Sequence, residues 1–375
     1  MSLDLLLTLP EADSQQIWQQ TQSFAIPHDR WNAYLNQLCV TALLPWLREE
    51  SPQTKIATNA TARSSIWSLV NGTAFTLDGL RLVVMPTEAI DHDELRIPQE
   101  WVDLSSWAAD YYLAVQVEPD EGWVKVWGYT THHTLKTRGH YDADDRTYSL
   151  SDDDLISDLN ILWLSRELNL PEPTRADVAL LPALSLEQAN NLLDRLANPE
   201  IEPRLAVPFH LWGALLEHGG WRQQLSQRRQ GLPAQTSVLQ WLQTGVSALA
   251  QQLGWEQIEL QPAFSGARGS ETSAPIPVLS RRLAIAGQTY DLQVIPQAES
   301  SWRFELRNTA PGGLVPGGFK LRLLTEDLQA FEGNEAIAQT AVEVLFIEVA
   351  LESGEGLVWE TEPISEEFDR EILCF

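Results

Sequence analysis

Tyr111-Tyr112-Leu113-Ala114-Val115-Gln116-Val117 and Trp123-Val124-Lys125-Val126-Trp127-Gly128-Tyr129-Thr130 are two apolar runs separated by Glu118-Pro119-Asp120-Glu121-Gly122. β-branched and aromatic residues around a Pro/Gly turn predict an antiparallel hairpin. Side chains alternate along a strand, so Val124 and Val126 share one face, while Trp123, Lys125, Trp127 and Tyr129 share the other. Both faces are partly apolar, which calls for a covering layer. N-terminal helices are the obvious cover for one face. The other reading leaves Trp123, Trp127 and Tyr129 as an exposed aromatic surface for a partner or a sugar.

Upstream, Thr73–Leu77 and Leu80–Met85 flank Asp78-Gly79, and Ile66–Val70 precedes Asn71-Gly72; both dipeptides are strong hairpin signals. The stretch 65–150 therefore predicts an antiparallel sheet of about five strands. Helical spacing covers Glu11–Ser23 and His28–Glu50, the second interrupted near Pro45. Residues 51–64 are polar and predict a loop.

Downstream, Asp152–Leu168 predicts a helix with an acidic first turn. Ser185-Leu186-Glu187-Gln188 is a capping box opening another. Helices follow at Pro208–Glu217, Trp221–Gln230 and Thr236–Leu253, the last stopped by Gly254. Pro- and Gly-rich residues 262–277 form a linker, and the short apolar strands beyond it predict a β-sandwich. The expected organisation is thus α+β. A helix-plus-antiparallel-sheet domain spans 1–170, a helical segment 171–261, and a sandwich-like domain 278–375.

The chain of 375 residues carries 15 Trp and a formal charge of -27, with 2 Cys and 7 His. The carboxylates concentrate in residues 1–170 and 272–375. Such a balance disfavours nucleic-acid phosphate and anionic lipid and favours a protein partner with a basic face. No disulfide framework, secretory leader or apolar span is legible, which predicts a cytoplasmic protein.

His132, His140, Asp142 and Asp144, with His133 and Asp152–Asp154 nearby, form the densest cluster of metal-ligating side chains. Adjacent His132 and His133 on a strand would point to opposite faces, and the aspartate spacing departs from a calcium loop. His210 and His218 stand roughly 12 Å apart by helix rise. No nucleophile elbow or phosphate-binding loop is present, and Cys39 lies in an apolar helical stripe. No cofactor is implied.

Arg281–Gly287, Pro316–Leu324, Thr361–Phe368, Leu239–Leu242 with Gly254-Trp255, Tyr112–Gly128 and Tyr141–Asn160 together resemble the cyanobacterial domain-of-unknown-function family numbered 1822. The quoted motifs are packing and turn residues, so no functional residue carries over. The resemblance implies a soluble protein of cyanobacterial origin with a mixed N-terminal part and a β-rich C-terminal part. With the absence of catalytic motifs it leads to the expectation of a non-enzymatic protein-interaction or regulatory module of unspecified oligomeric state. The alternatives are a metal-dependent hydrolase using His132, His140 and the aspartates, and a carbohydrate-binding module on Trp123 and Trp127.

Overall fold

A computed structural model describes residues 5–168, 173–233, 237–260, 275–297, 300–366 and 368–375. The chain mixes helices and sheets and divides into two compact units. The first comprises Met1–Thr58 and Ala62–Leu232, the second Asn59–Thr61 and Pro233–Phe375. The division near residue 232 shares the expected helical segment 171–261 between both units. Most of the expected linker 262–277 lies outside the described residues.

The first unit contains β1 (Leu5–Thr8), α1 (Glu11–Gln20), α2 (Pro27–Glu50), β2 (Lys55–Ile56), α3 (Ala60–Trp67), β3 (Thr73–Leu77) and β4 (Leu80–Thr87). Then follow β5 (Glu94–Pro98), α4 (Gln99–Asp103), β6 (Tyr111–Glu118), β7 (Trp123–Thr131), α5 (His132–Arg138), β8 (His140–Asp142), β9 (Thr147–Ser151) and α6 (Leu159–Glu167). The unit ends with α7 (Leu186–Leu196), α8 (Pro203–Ala206), α9 (Phe209–Glu217) and α10 (Gly219–Arg229). Its main sheet has the order β1-β7-β6-β4-β3-β2, and β5-β9-β8 form a smaller one. Helix α2 packs across β1, β4, β6 and β7 and buries Leu35, Leu38, Leu43 and Leu47.

The sheet is mixed, not antiparallel as expected, because β4 and β6 run parallel. A parallel pair needs a crossover, supplied here by residues 88–110 with β5 and α4. The β3–β4 hairpin forms as the sequence requires, with Asp78 at φ 45° and Gly79 at φ 85°. Asn71-Gly72 does not make a hairpin: α3 takes the end of the expected 51–64 loop and the start of the expected 66–70 strand, whose remaining residues form a turn. Gly72 has φ 119°, and a Cβ there would stand 2.6 Å from Trp101 Nε1. The glycine serves close packing. Helix α2 continues through Pro45, whose missing N–H leaves one backbone bond unmade. The apolar start Leu5-Leu6-Leu7 is the edge strand β1 on β7.

The β6–β7 hairpin carries the most consequential irregularity. Ala114 pairs with Gly128, but Val115 pairs with Val126. Trp127 is therefore the extra residue of a β-bulge, which resets the alternation beyond it. Trp123 and Tyr129 do not continue one aromatic row.

The second unit contains α11 (Val238–Thr244), α12 (Ala248–Gln252), β10 (Trp255–Leu260), β11 (Ile276–Ile285), β12 (Gln288–Pro296) and β13 (Ser301–Asn308). It continues with β14 (Lys320–Thr325), β15 (Glu335–Ile337), β16 (Leu345–Ala350), β17 (Gly356–Glu362) and β18 (Ile372–Cys374). Two antiparallel sheets, β10-β11-β12-β13-β16 and β15-β14-β17-β18, share one core that includes Leu292, Phe304, Leu323 and Trp359. The expected helix over 236–253 is broken by Gly245 at φ 97°, and Gly254 ends α12 at φ 88°.

Candidate functional site

The residues singled out by sequence do not converge. His132 is fully buried at the start of α5, not on a strand. Its Nε2 bonds the Val102 carbonyl at 2.9 Å, and its Nδ1 accepts from Ala176 N–H at 3.0 Å. Burial pushes its pKa below the usual imidazole value. Both ring nitrogens are committed, so this side chain braces the fold. His140 is exposed at the start of β8, Asp142 ends that strand, and Asp144 belongs to the turn beyond it. Asp142 lies 3.7 Å from Arg96 and accepts from the Asp144 N–H at 2.9 Å. Among the described residues no three His, Cys, Asp or Glu side chains gather as a metal site would require. His218 is buried, caps α10 and stacks on Trp221 at 4.1 Å. Cys39 is buried, and burial raises its thiol pKa far above the usual range.

The aromatic surface also lies elsewhere. Trp127 is buried with its ring stacked on His92 at 4.8 Å, and Tyr129 is buried beside Tyr111. Trp123 is half-buried and donates to Glu121 at 2.8 Å. The indoles that reach solvent most are Trp18 and Trp31, each 38% exposed. They pack edge-to-face at 5.9 Å, with Tyr34 against both and the Arg30 guanidinium 3.7 Å over Trp18. Both indoles lie in the helical segments Glu11–Ser23 and His28–Glu50, where periodicity alone points an indole to a core. Position on a helix face could not reveal that this face of α1 and α2 is only partly covered.

Trp31 lines a cleft of about 500 Å³, the size of a small-ligand site. Its walls come from the first turns of α2, the Trp67–Asn71 connection, Glu88 beyond β4, α8 and Arg229 at the end of α10. A buried polar network fixes the floor. Asn32 Nδ2 donates to the Trp67 carbonyl at 2.6 Å, and Asn36 Nδ2 donates to Asn71 Oδ1 at 2.8 Å. Thr73 donates to Asn36 Oδ1 at 2.8 Å, while Trp101 Nε1 donates to the Asn71 carbonyl at 2.7 Å. Asn71-Gly72, read from sequence as a turn, is the junction that ties this floor to the sheet.

The charges around the cleft are unequally satisfied. Arg204 makes two bonds to the fully buried Glu100, at 3.1 and 2.9 Å, and others to the Asp145 and Arg146 carbonyls. Arg229 spreads one terminal nitrogen over the carbonyls of Leu196, Asn198 and Ile201. Asp29 is only 5% exposed, and its Oδ2 is buried without a hydrogen-bond partner. Burial raises its carboxyl pKa to about 6, against the opposing pull of Arg229 and His28. Glu88, which accepts from Trp31 Nε1 at 2.6 Å, and Glu202 complete the acidic side. The Arg204 guanidinium is thus largely spent on the protein, while acceptor capacity faces the cleft.

No helix among the described residues is long and apolar enough to cross a membrane. No curated protein and no solved structure matches the chain significantly. A family described as "Protein of unknown function (DUF1822)" matches residues 7–374, nearly the whole length, and the chain belongs to that family.

Proposed function

We propose that this chain is a cytoplasmic, non-enzymatic protein-interaction module, an α+β scaffold ending in a β-sandwich, whose partner presents a basic amphipathic helix to α6. The observation that carries this reading is an outward apolar stripe. Ile161, Leu164 and Leu168 are 45%, 53% and 59% exposed. Their i, i+3, i+7 spacing puts them on one helix face. The opposite face is already used: Leu159 and Leu162 are buried, Trp163 meets Trp46 at 5.6 Å, and Arg166 pairs with Asp78 at 2.7 Å. An apolar row with no internal role marks an interaction surface.

Charge selects the occupant. Asp152, Asp153, Asp154, Asp158 and Glu167 are all exposed within the same short stretch, and its one cation, Arg166, is committed to Asp78. An apolar row flanked by carboxylates complements a helix with apolar i, i+3, i+7 anchors and lysines or arginines beside them.

A photo-crosslinking residue in place of Leu164, with a control at exposed Glu332, tests this in cells. The expected result is one protein joined specifically through a basic amphipathic segment. A peptide of that segment should bind the full chain, and Leu164→Asp should weaken it about tenfold or more. Binding should also fall with added salt. A crosslinked segment that is acidic or neutral, or equal crosslinking at both positions, overturns the reading.

A further inference from the structure

We infer that the Trp31 cleft is a binding site for an organic monocation, an ammonium or guanidinium group carried on an apolar stem. This inference is independent of the α6 surface. Three observations meet in one place. The first is the cleft itself, about 500 Å³, walled by apolar side chains such as Leu35, Leu69, Val70 and Leu205. The second is the carboxylate of Asp29, 95% buried with one oxygen unpartnered. A buried carboxylate without donors is strongly disfavoured, so its retention needs a compensating interaction. The third is the imbalance of available groups: Glu88 and Glu202 stand with Asp29, whereas Arg204 is tied to Glu100 and backbone carbonyls.

An anion is the obvious competitor, because two arginines line the cleft. Most of their donors are already directed at protein oxygens, and an incoming anion would face three carboxylates. Arg229 bonds carbonyls through one terminal nitrogen and keeps Nε buried without a partner, but a single guanidinium does not offset the repulsion of three carboxylates. A cation meets the reverse situation. Its N–H groups supply what Asp29 lacks, charge-assisted bonds to a carboxylate are the strong ones, and indole faces attract cations. Trp31 and Trp67 both line the cleft, and one side of Trp67 is already faced by Arg63, 5.4 Å from the ring centroid. The same cation chemistry is carried by a free amine and by a lysine or arginine side chain of another protein.

The test uses the full chain, titrated with hexylammonium and phenethylammonium against matched hexanol, phenethyl alcohol and hexanoate. Two capped tripeptides, Ala-Lys-Ala and Ala-Arg-Ala, form a second arm. Binding is read by calorimetry and tryptophan fluorescence. At least one cation should bind tenfold or more tightly than its neutral match, with hexanoate weaker still. Asp29→Asn should remove that preference while the variant remains folded, and Leu164→Asp should leave it unchanged. Tighter binding of the capped peptides identifies a side chain as the natural source, and tighter binding of the free amines identifies a small molecule. Equal binding of alcohol and ammonium, preference for hexanoate, an undiminished preference in Asp29→Asn, or no binding by either arm overturns the inference.

Discussion

Glu371→Ala should destabilise the second unit by about 3–5 kcal/mol, the usual effect of breaking a buried ion pair from one side. Glu371 is almost fully buried and accepts from Trp255 Nε1 at 3.0 Å, from Trp359 Nε1 at 2.7 Å and from the Arg281 guanidinium. Arg281 is itself buried and lies 5.1 Å from the Trp359 ring centroid. Alanine would strand a guanidinium and two indole N–H groups together by removing the one carboxylate that accepts from all three. Glu371→Gln retains an acceptor oxygen for the indoles and removes only the charge, so it should lose less. Pairing Glu371→Leu with Arg281→Met should recover part of the loss, because the orphaned charge goes too. Denaturant unfolding of the full chain, with hydrogen exchange over β11, β17 and β18, would measure each step. A loss below about 1 kcal/mol for Glu371→Ala would mean that the network is solvated and contributes little.

The first unit repeats the device. Glu100 is fully buried and accepts from Trp212 Nε1 at 2.7 Å and from Arg204. Indole N–H groups bonded to carboxylates recur at Trp31–Glu88 and Trp123–Glu121. This is one physical use for so many tryptophans in so acidic a chain: an indole fills core volume and still supplies a donor to a carboxylate. Composition showed that indoles and carboxylates were both abundant. It did not show that they are partners, because Trp31–Glu88, Trp212–Glu100 and Trp255–Glu371 are far apart in sequence.

Local signals were the legible ones. The Asp78-Gly79 turn, the Ser185–Gln188 capping box, the Gly254 stop and the strands of residues 278–375 each depend on neighbouring residues, and each forms near its expected place. The failures have a common cause in tertiary context. Asn71-Gly72 has hairpin chemistry but is held by Trp101, thirty positions away. Period-2 counting from Trp123 to Tyr129 fails because one bulge resets the alternation. β4 lies beside β6 because a crossover intervenes, and periodicity within one strand carries no information about its neighbour's direction. His132 looked like a ligand because polar residues cluster around it in sequence; the fold turns it inward and its neighbours outward. The cleft was illegible for the same reason, since α2, the Trp67–Asn71 connection, α8 and Arg229 are separated by long stretches of chain.

Asp29→Asn should act in the opposite sense to Glu371→Ala and stabilise the protein at neutral pH. A carboxyl held at about 6 in the folded chain, against an ordinary 3.8, means that ionising it opposes folding. The full difference corresponds to about 3 kcal/mol, and solvent reaching the cleft reduces this to roughly 2 kcal/mol. The first turn of α2 works the other way, since a helix N-terminus favours a negative side chain, but by only about 0.3–1 kcal/mol. Desolvation therefore wins. Between pH 3.8 and about 6 the folded state binds more protons at this site than the unfolded state, so rising pH removes stability from the natural protein. The variant's advantage should be small near pH 4, grow up to about pH 6 and stay level above it. Paired unfolding curves at three pH values within that span would show it. A constant advantage at every pH would assign the gain to packing instead of ionisation, and a loss at neutral pH would mean that the carboxylate is already compensated within the folded chain. If stability rises while discrimination between ammonium and alcohol disappears, the same carboxylate weakens the fold and serves the cleft, the trade-off expected of a residue kept for binding.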